Sequence, residues 1–401
     1  MTPTRPRAAA AGDTLYFDHA ASAPRRAEVF AAMAPYNTGV VGNPTGSHRA
    51  SRAARTALDD AREEVAALTG SLPGGVVFTG GGTESCNLAV FGVAGDRARR
   101  GRGARLVVSS IEHHAVGDAA DRLARGLLAT PTEVVCLGAT AAGVVDVPAA
   151  REALASGADL VSVMTANNEV GTIQPIPEIA ELVHELAPGA VVHTDAVAAA
   201  PWLDLALAAK GADLVSICAH KLGGPVGIGA LCLRREVALA PLVVGGGQER
   251  GRRAGTPDVA SAVGLAVALR LSCAERERSV ARATQRRDLL AGLLVGGAPG
   301  IRATVEGAAV LPGTCHVLVE GVRSEELVFL CDEAGLCVSA ASSCASGAAS
   351  RSHVLAAMGI DDGEATGSLR LTLGAETTEA QVERAAAIVL TAVHGLRGGT
   401  P

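Results

Sequence analysis

From Arg49 to about Arg270, short β-branched runs alternate with segments whose apolar residues recur at helical spacing. The runs fall at residues 76–79, 106–109, 133–137, 160–164, 190–194 and 214–217, and the helical segments include 51–68, 177–186 and 203–210. Near-continuous apolar strands separated by helices predict a mostly parallel α/β sheet covered on both faces. Past Arg270 the rhythm changes. An Arg/Glu-rich helix over 274–293 leads to strand-like 314–318, 336–339 and 369–373, then an amphipathic helix over 379–393. That part predicts a smaller α+β unit. No internal repeat is visible.

Composition narrows the function more than the fold. Apolar residues make up 48% of the 401 but aromatics only 2%, so Ala, Val and Leu must build the core. A net charge of −6 argues against binding nucleic acid by phosphate neutralisation. Residues 1–13 lack an apolar stretch long enough for a signal peptide, and 259–269 is too short to span a bilayer. A cytoplasmic protein with no membrane association is the expectation. The nine cysteines form no CxxC pair and no zinc spacing, so neither a metal site nor a disulfide framework is expected. Cys136 and Cys232 sit in apolar runs and read as small core hydrophobes in a reducing compartment.

Of the 35 basic residues only Lys210 and Lys221 are lysines. Arg stays protonated, whereas a Lys amine can lose its proton and condense with a carbonyl. Lys210 ends a helical segment before Gly211 and reads as a solvated helix terminus. Lys221 instead follows a strand, in Cys218-Ala219-His220-Lys221-Leu222-Gly223-Gly224. Ligands of α/β sheets gather at the carboxyl ends of strands, so the other strand exits matter too. Gly80-Gly81-Gly82-Thr83-Glu84-Ser85 opens a helix with free backbone N–H groups and a hydroxyl, a cradle for phosphate. Ile111-Glu112-His113-His114 offers an imidazole that would stack on a flat ring, and Asn167-Asn168 offers amides. Asp195 closes an apolar strand, where a carboxylate needs a cation or a protonated heterocycle. Each feature alone is compatible with an ordinary turn. Together, five strand ends supply what pyridoxal phosphate requires: a Schiff-base lysine, a carboxylate for the pyridine nitrogen and a phosphate cradle.

The motifs Tyr16-Phe17-Asp18-His19-Ala20-Ala21, Gly42-Asn43-Pro44, Gly82-Thr83-Glu84-Ser85, Glu112-His113, Ala166-Asn167-Asn168-Glu169, His193-Thr194-Asp195-Ala196, His220-Lys221 and Gly245-Gly246-Gly247-Gln248-Glu249-Arg250 run in that order. Together they resemble the NifS/IscS-like cysteine desulfurases of the class V aminotransferase superfamily, over nearly the whole chain. The resemblance implies a fold-type I homodimer with a seven-stranded, mostly parallel sheet. Its large domain would cover residues 25–265, and residues 1–24 with 266–401 would form the small one. Pyridoxal phosphate would be carried on Lys221, with Asp195 at the pyridine nitrogen, His113 stacked on the ring and Asn168 at its phenolic oxygen. Gly82, Thr83, Cys218 and His220 would line the phosphate, helped by Thr256 of the second subunit. Arg370, with Asn168 and Asn43, would bind the substrate carboxylate.

Ser342-Ser343-Cys344-Ala345-Ser346-Gly347 resembles the long mobile loop of that family, here about 338–352. Cys344 would take sulfur from L-cysteine as a persulfide, leaving alanine, and pass it to an acceptor protein whose identity is open. A thiolate is needed, so a base such as His113 should lie near. The chain departs from the family at Ala198, where a Gln is usual, at Cys218, where Ser or Thr is usual, and at Ala375, where Arg or His is frequent. Two alternatives stay open: another pyridoxal-phosphate enzyme on this scaffold (a selenocysteine lyase, C–S lyase or aminotransferase), or a non-catalytic sulfur-carrier scaffold.

Overall fold

The computed structural model describes residues 14–340 and 351–398. Its strands are β1 (Leu15–Tyr16), β2 (Val76–Thr79), β3 (Ala104–Ser109), β4 (Thr132–Leu137), β5 (Leu160–Ser162), β6 (Val191–Asp195), β7 (Leu214–Cys218), β8 (Gly229–Leu233), β9 (Ile301–Ala303), β10 (Thr314–Val319), β11 (Leu336–Cys337) and β12 (Ser368–Thr372). Seven of them make one sheet in the order β2-β8-β7-β6-β5-β3-β4. All its pairings are parallel except those of β8, which runs against both β2 and β7. The α/β architecture and mostly parallel sheet expected from the sequence are therefore present. β8 was not expected: Gly-Ala-Leu-Cys-Leu has no β-branched residue, the feature by which the other strands of this sheet stand out.

Helices cover both faces of this sheet. The helix Arg49–Thr69 turns Ala54, Ala57, Leu58, Ala61 and Val65 inward at helical spacing. It ends where Gly70 takes the left-handed conformation, φ 66°. On the opposite face, Gly82–Arg99 and His114–Ala124 pack against Val77, Leu106, Leu214 and Leu231.

A second, three-stranded antiparallel sheet, β12-β10-β9, packs against the helix Glu379–Leu396, which starts with a Thr378–Gln381 capping box. One 39-residue helix, Val259–Gly297, serves both cores: Leu265 and Leu269 pack with the large sheet, Leu290 and Leu294 with the small one. The apolar stretch at 259–269 and the charged helix expected at 274–293 are thus one element. The expectation for Cys136 is corrected: it is exposed, because β4 is the edge strand of the large sheet. The eight described cysteines are free thiols, and no described helix is long and apolar enough to cross a membrane.

Candidate active site

At the end of β2 the chain turns through Gly80 and Gly81 into Gly82–Arg99. Gly81 has φ 144°, a conformation L side chains rarely adopt, so glycine is required there. A Cβ on Gly82 would lie 2.8 Å from Cγ2 of Val197, so the loop passes directly over the turn after β6. The first N–H groups of this helix have no intrahelical acceptor, and Thr83 adds an exposed hydroxyl. Thr83 lines a cavity of about 640 Å³ with Asn87, Phe91 and His113.

Asp195 ends β6, 6% exposed, and its Oδ1 accepts the Val197 N–H at 2.9 Å. His113 caps the helix His114–Ala124, its Nδ1 accepting the Ala115 N–H at 3.0 Å, which leaves Nε2 as the ring atom open to proton exchange. Burial holds the His113 imidazole below its ordinary value; the Asp195 carboxylate opposes this, and Lys221, His114 and His353 add to it. His113, Asp195 and Lys221, from three separate turns, therefore share one electrostatic field.

Lys221 follows β7. Its amine donates to the backbone carbonyls of Ala20 and Ala21, the latter at 2.9 Å, and it lines a cavity of about 430 Å³ with His19, Asn168, Ala198 and Trp202. His220 is pushed down to about 4, chiefly by burial and then by Lys221. The Cys218 thiol, fully buried, is pushed up to about 12 by burial and lies 3.8 Å from His220 Nε2. It is a neutral thiol and a weak donor.

The turn after β5 divides its two amides. Asn167 is structural: its oxygen accepts the Glu169 and Val170 N–H groups and its nitrogen donates to Ile111. Both line the cavity, and the Asn168 backbone carbonyl accepts Nη1 of Arg370 at 2.9 Å. Arg370 Nη2 pairs with Asp18 at 3.0 Å, while the buried Nε has no partner among the described residues. The Arg370 backbone also exchanges hydrogen bonds with Ser339.

Two expected residues stand apart in this chain. Asn43 accepts from Thr45 within its own exposed turn, and Thr256 is exposed in the loop before Val259–Gly297. Cys344 lies outside the described residues. Several groups went unassigned in the sequence. Glu112 is buried beside His113; burial, then Asp195, pushes its carboxyl up to about 8, so it is largely protonated at neutral pH. Its Oε1 accepts the Met164 N–H at 2.6 Å. Ser352 donates to Glu169 at 2.6 Å and His353 Nε2 donates to the Glu112 carbonyl at 2.8 Å, fastening residues 352–353 to two site turns. Glu112 and Glu169 lay inside the strand-exit motifs, whereas nothing in the sequence singled out Ser352 or His353.

The family model for class-V aminotransferases matches residues 15–385. An IscS-like cysteine desulfurase of Mycobacterium tuberculosis is 42% identical over 393 residues, covering 95% of this chain and 97% of that protein. A solved structure described as a NifS-like protein superposes with a TM-score of 0.84 at 31% identity, over 94% of this chain and 98% of that one. Another, SspA in complex with cysteine, gives 0.75 at 31% identity, over 91% and 100%.

Proposed function

The chain belongs to the class-V aminotransferase family, and from that premise we propose that it is a pyridoxal-phosphate-dependent cysteine desulfurase. It would convert L-cysteine to L-alanine and pass the sulfur through Cys344 to an acceptor protein. The residues present suit the cofactor: a glycine turn that tolerates no Cβ at Gly82, an anion-seeking helix end, a strand-end carboxylate and a lysine at the cavity wall. Bound there, the cofactor would act as an electron sink. Lys221 would carry it, Asp195 would keep its pyridine nitrogen protonated, and His113, neutral at pH 7, would stack on the ring and exchange a proton at Nε2. Gly82, Thr83 and His220 would hold the phosphate, with Thr256 supplied by the second subunit of a homodimer. Cys218 contributes little there because its thiol is a weak donor.

Arg370 carries the reading. Its guanidinium is held by Asp18 and by the carbonyl of Asn168, a residue of the cavity wall, a placement from which it would serve a substrate carboxylate, while its backbone is paired with Ser339. Cys344 follows Ser339 by five residues in the sequence. In the transfer, the substrate C–S bond breaks, an S–S bond forms on Cys344 and the alanine methyl gains a proton.

The test is alanine release from L-cysteine with a reductant, comparing wild type with Cys344→Ala. Alanine from the wild type alone supports the assignment. Equal turnover by the variant would sink it and favour a lyase on the same scaffold.

A further inference from the structure

The loop 248–253 holds the most strained backbone among the described residues. Glu249 (φ 47°) and Arg250 (φ 56°) are the non-glycine residues there with positive φ. Such a conformation persists only where the surroundings over-determine it, and it concentrates at functional sites. Here the fixing contacts are specific. Glu249, 8% exposed, takes both Nη groups of Arg62, at 2.7 and 2.9 Å, and its Oε2 also accepts the Phe78 N–H at 3.1 Å. The turn is thereby fastened to β2, the strand that delivers the glycine loop.

Four residues further on, Arg253 reaches that loop directly. Its Nε donates to Glu84 Oε1 at 2.9 Å and its Nη2 to Oε2 at 3.4 Å, while Oε2 also accepts the Gly80 N–H at 2.6 Å. The pair is about three-quarters buried, 26% and 24% exposed, and so is poorly screened. Glu84 is the third residue of Gly82–Arg99. A carboxylate in the first turn suits an isolated helix but repels any second anion drawn to the same end. A glycine-opened helix end that carries its own carboxylate therefore needs a cation if it is to take phosphate.

We propose that Arg253 is a positioning residue that cancels the Glu84 charge and so lets the Gly82 helix end accept the phosphate of pyridoxal phosphate. The inference rests on the cofactor reading above, and it assigns the strained 248–253 turn a purpose: Glu249 fixes the place from which Arg253 acts.

The experiment measures binding of pyridoxal phosphate, and of pyridoxal without phosphate, to the full-length apoenzyme. Arg253→Gln should weaken pyridoxal phosphate about tenfold, the scale of one unscreened like charge nearby, and leave pyridoxal unchanged. Glu84→Gln should bind as tightly as wild type or tighter, and Glu84→Gln/Arg253→Gln should return to within about twofold of wild type. A double variant no better than Arg253→Gln, equal losses for pyridoxal, or unchanged binding in Arg253→Gln would overturn the proposal. If Arg253→Gln does not fold, Glu84→Gln decides alone, since weakened binding there contradicts charge cancellation. A wild type that binds neither compound would instead overturn the cofactor reading itself.

Discussion

Arg370 and Asp18, 352 residues apart in the chain, form an ion pair with Nη2 3.0 Å from Oδ1. The arginine side chain is 3% exposed, and with Nη1 on the Asn168 carbonyl only Nε lacks a partner among the described residues. Asp18 thus fixes the plane of the guanidinium. In the proposed reading the substrate carboxylate would draw on this fixed guanidinium. Arg370→Ala is expected to raise KM for L-cysteine by about a hundredfold, the scale of a lost buried charge-assisted hydrogen bond, and to leave cofactor absorption unchanged. Arg370→Lys should not restore it, because a single ammonium cannot span the same acceptors. Steady-state kinetics check this, and a KM unchanged in Arg370→Ala would remove Arg370 from the carboxylate site.

Lys221 and Lys210 give a clean pair of controls, being the chain's two lysines. Lys221 lines the cavity, whereas Lys210 is exposed beyond a short helix. Borohydride treatment of the holoenzyme is expected to fix the cofactor to the Lys221 peptide. Lys221→Ala should lose both that label and the visible absorption, while Lys210→Ala keeps both. Peptide mass spectrometry reads the outcome; label on Lys210 would refute the assignment.

The thiols should separate by environment. Burial pushes Cys218 and Cys315 up to about 12 and Cys232 up to about 11, whereas Cys136 is exposed on the edge strand β4. Alkylation of the native protein at pH 8 is expected to label Cys136 well before those three, which react only on unfolding. Fast labelling of Cys218 would show that the floor of the site is open to solvent.

Cys136 also marks where the sequence stops being informative. Glu-Val-Val-Cys-Leu reads as a buried strand, yet nothing local states that β4 lies at the edge, since edge position is set by the whole sheet order. β8 escapes for another reason: Gly-Ala-Leu-Cys-Leu carries no β-branched residue to mark it as a strand. The strand exits are legible because a lone lysine, a strand-end aspartate and a glycine turn stand out chemically against an Ala-, Val- and Arg-rich background. Their pairings are not. Asp18 with Arg370 and Ser352 with Glu169 join residues hundreds of positions apart, and one sequence carries no sign of which polar groups meet. The same limit hid Arg253, an unremarkable arginine among 33 until Glu84 is seen against it.

Buried neutral histidines set the acid limit of stability. His193 is enclosed between Ser162, 2.8 Å from Nδ1, and Ser216, 2.9 Å from Nε2, and burial pushes it down to about 3. His316, 2.6 Å from Thr304, is also pushed down to about 3, by burial and then by Arg370. Each is neutral when folded, while in the unfolded chain each titrates near 6.5. Below that pH these two imidazoles bind protons in the unfolded state that they do not bind in the folded one, so their contribution to stability is full above about 6.5 and is lost progressively as pH falls toward 3. Each imidazole contributes a slope of up to about 1.4 kcal/mol per pH unit in that window. Denaturant unfolding from pH 7.5 to 4.5 should therefore show a fall below 6.5 carried by these imidazoles and partly offset by Glu112, which burial keeps protonated up to about 8 and which by itself favours the lower pH. His193→Gln and His316→Gln should each flatten the fall by about one proton, whatever they cost at pH 7.5. A slope unchanged in both variants would mean that these imidazoles protonate in place, and that the acid limit lies with other groups.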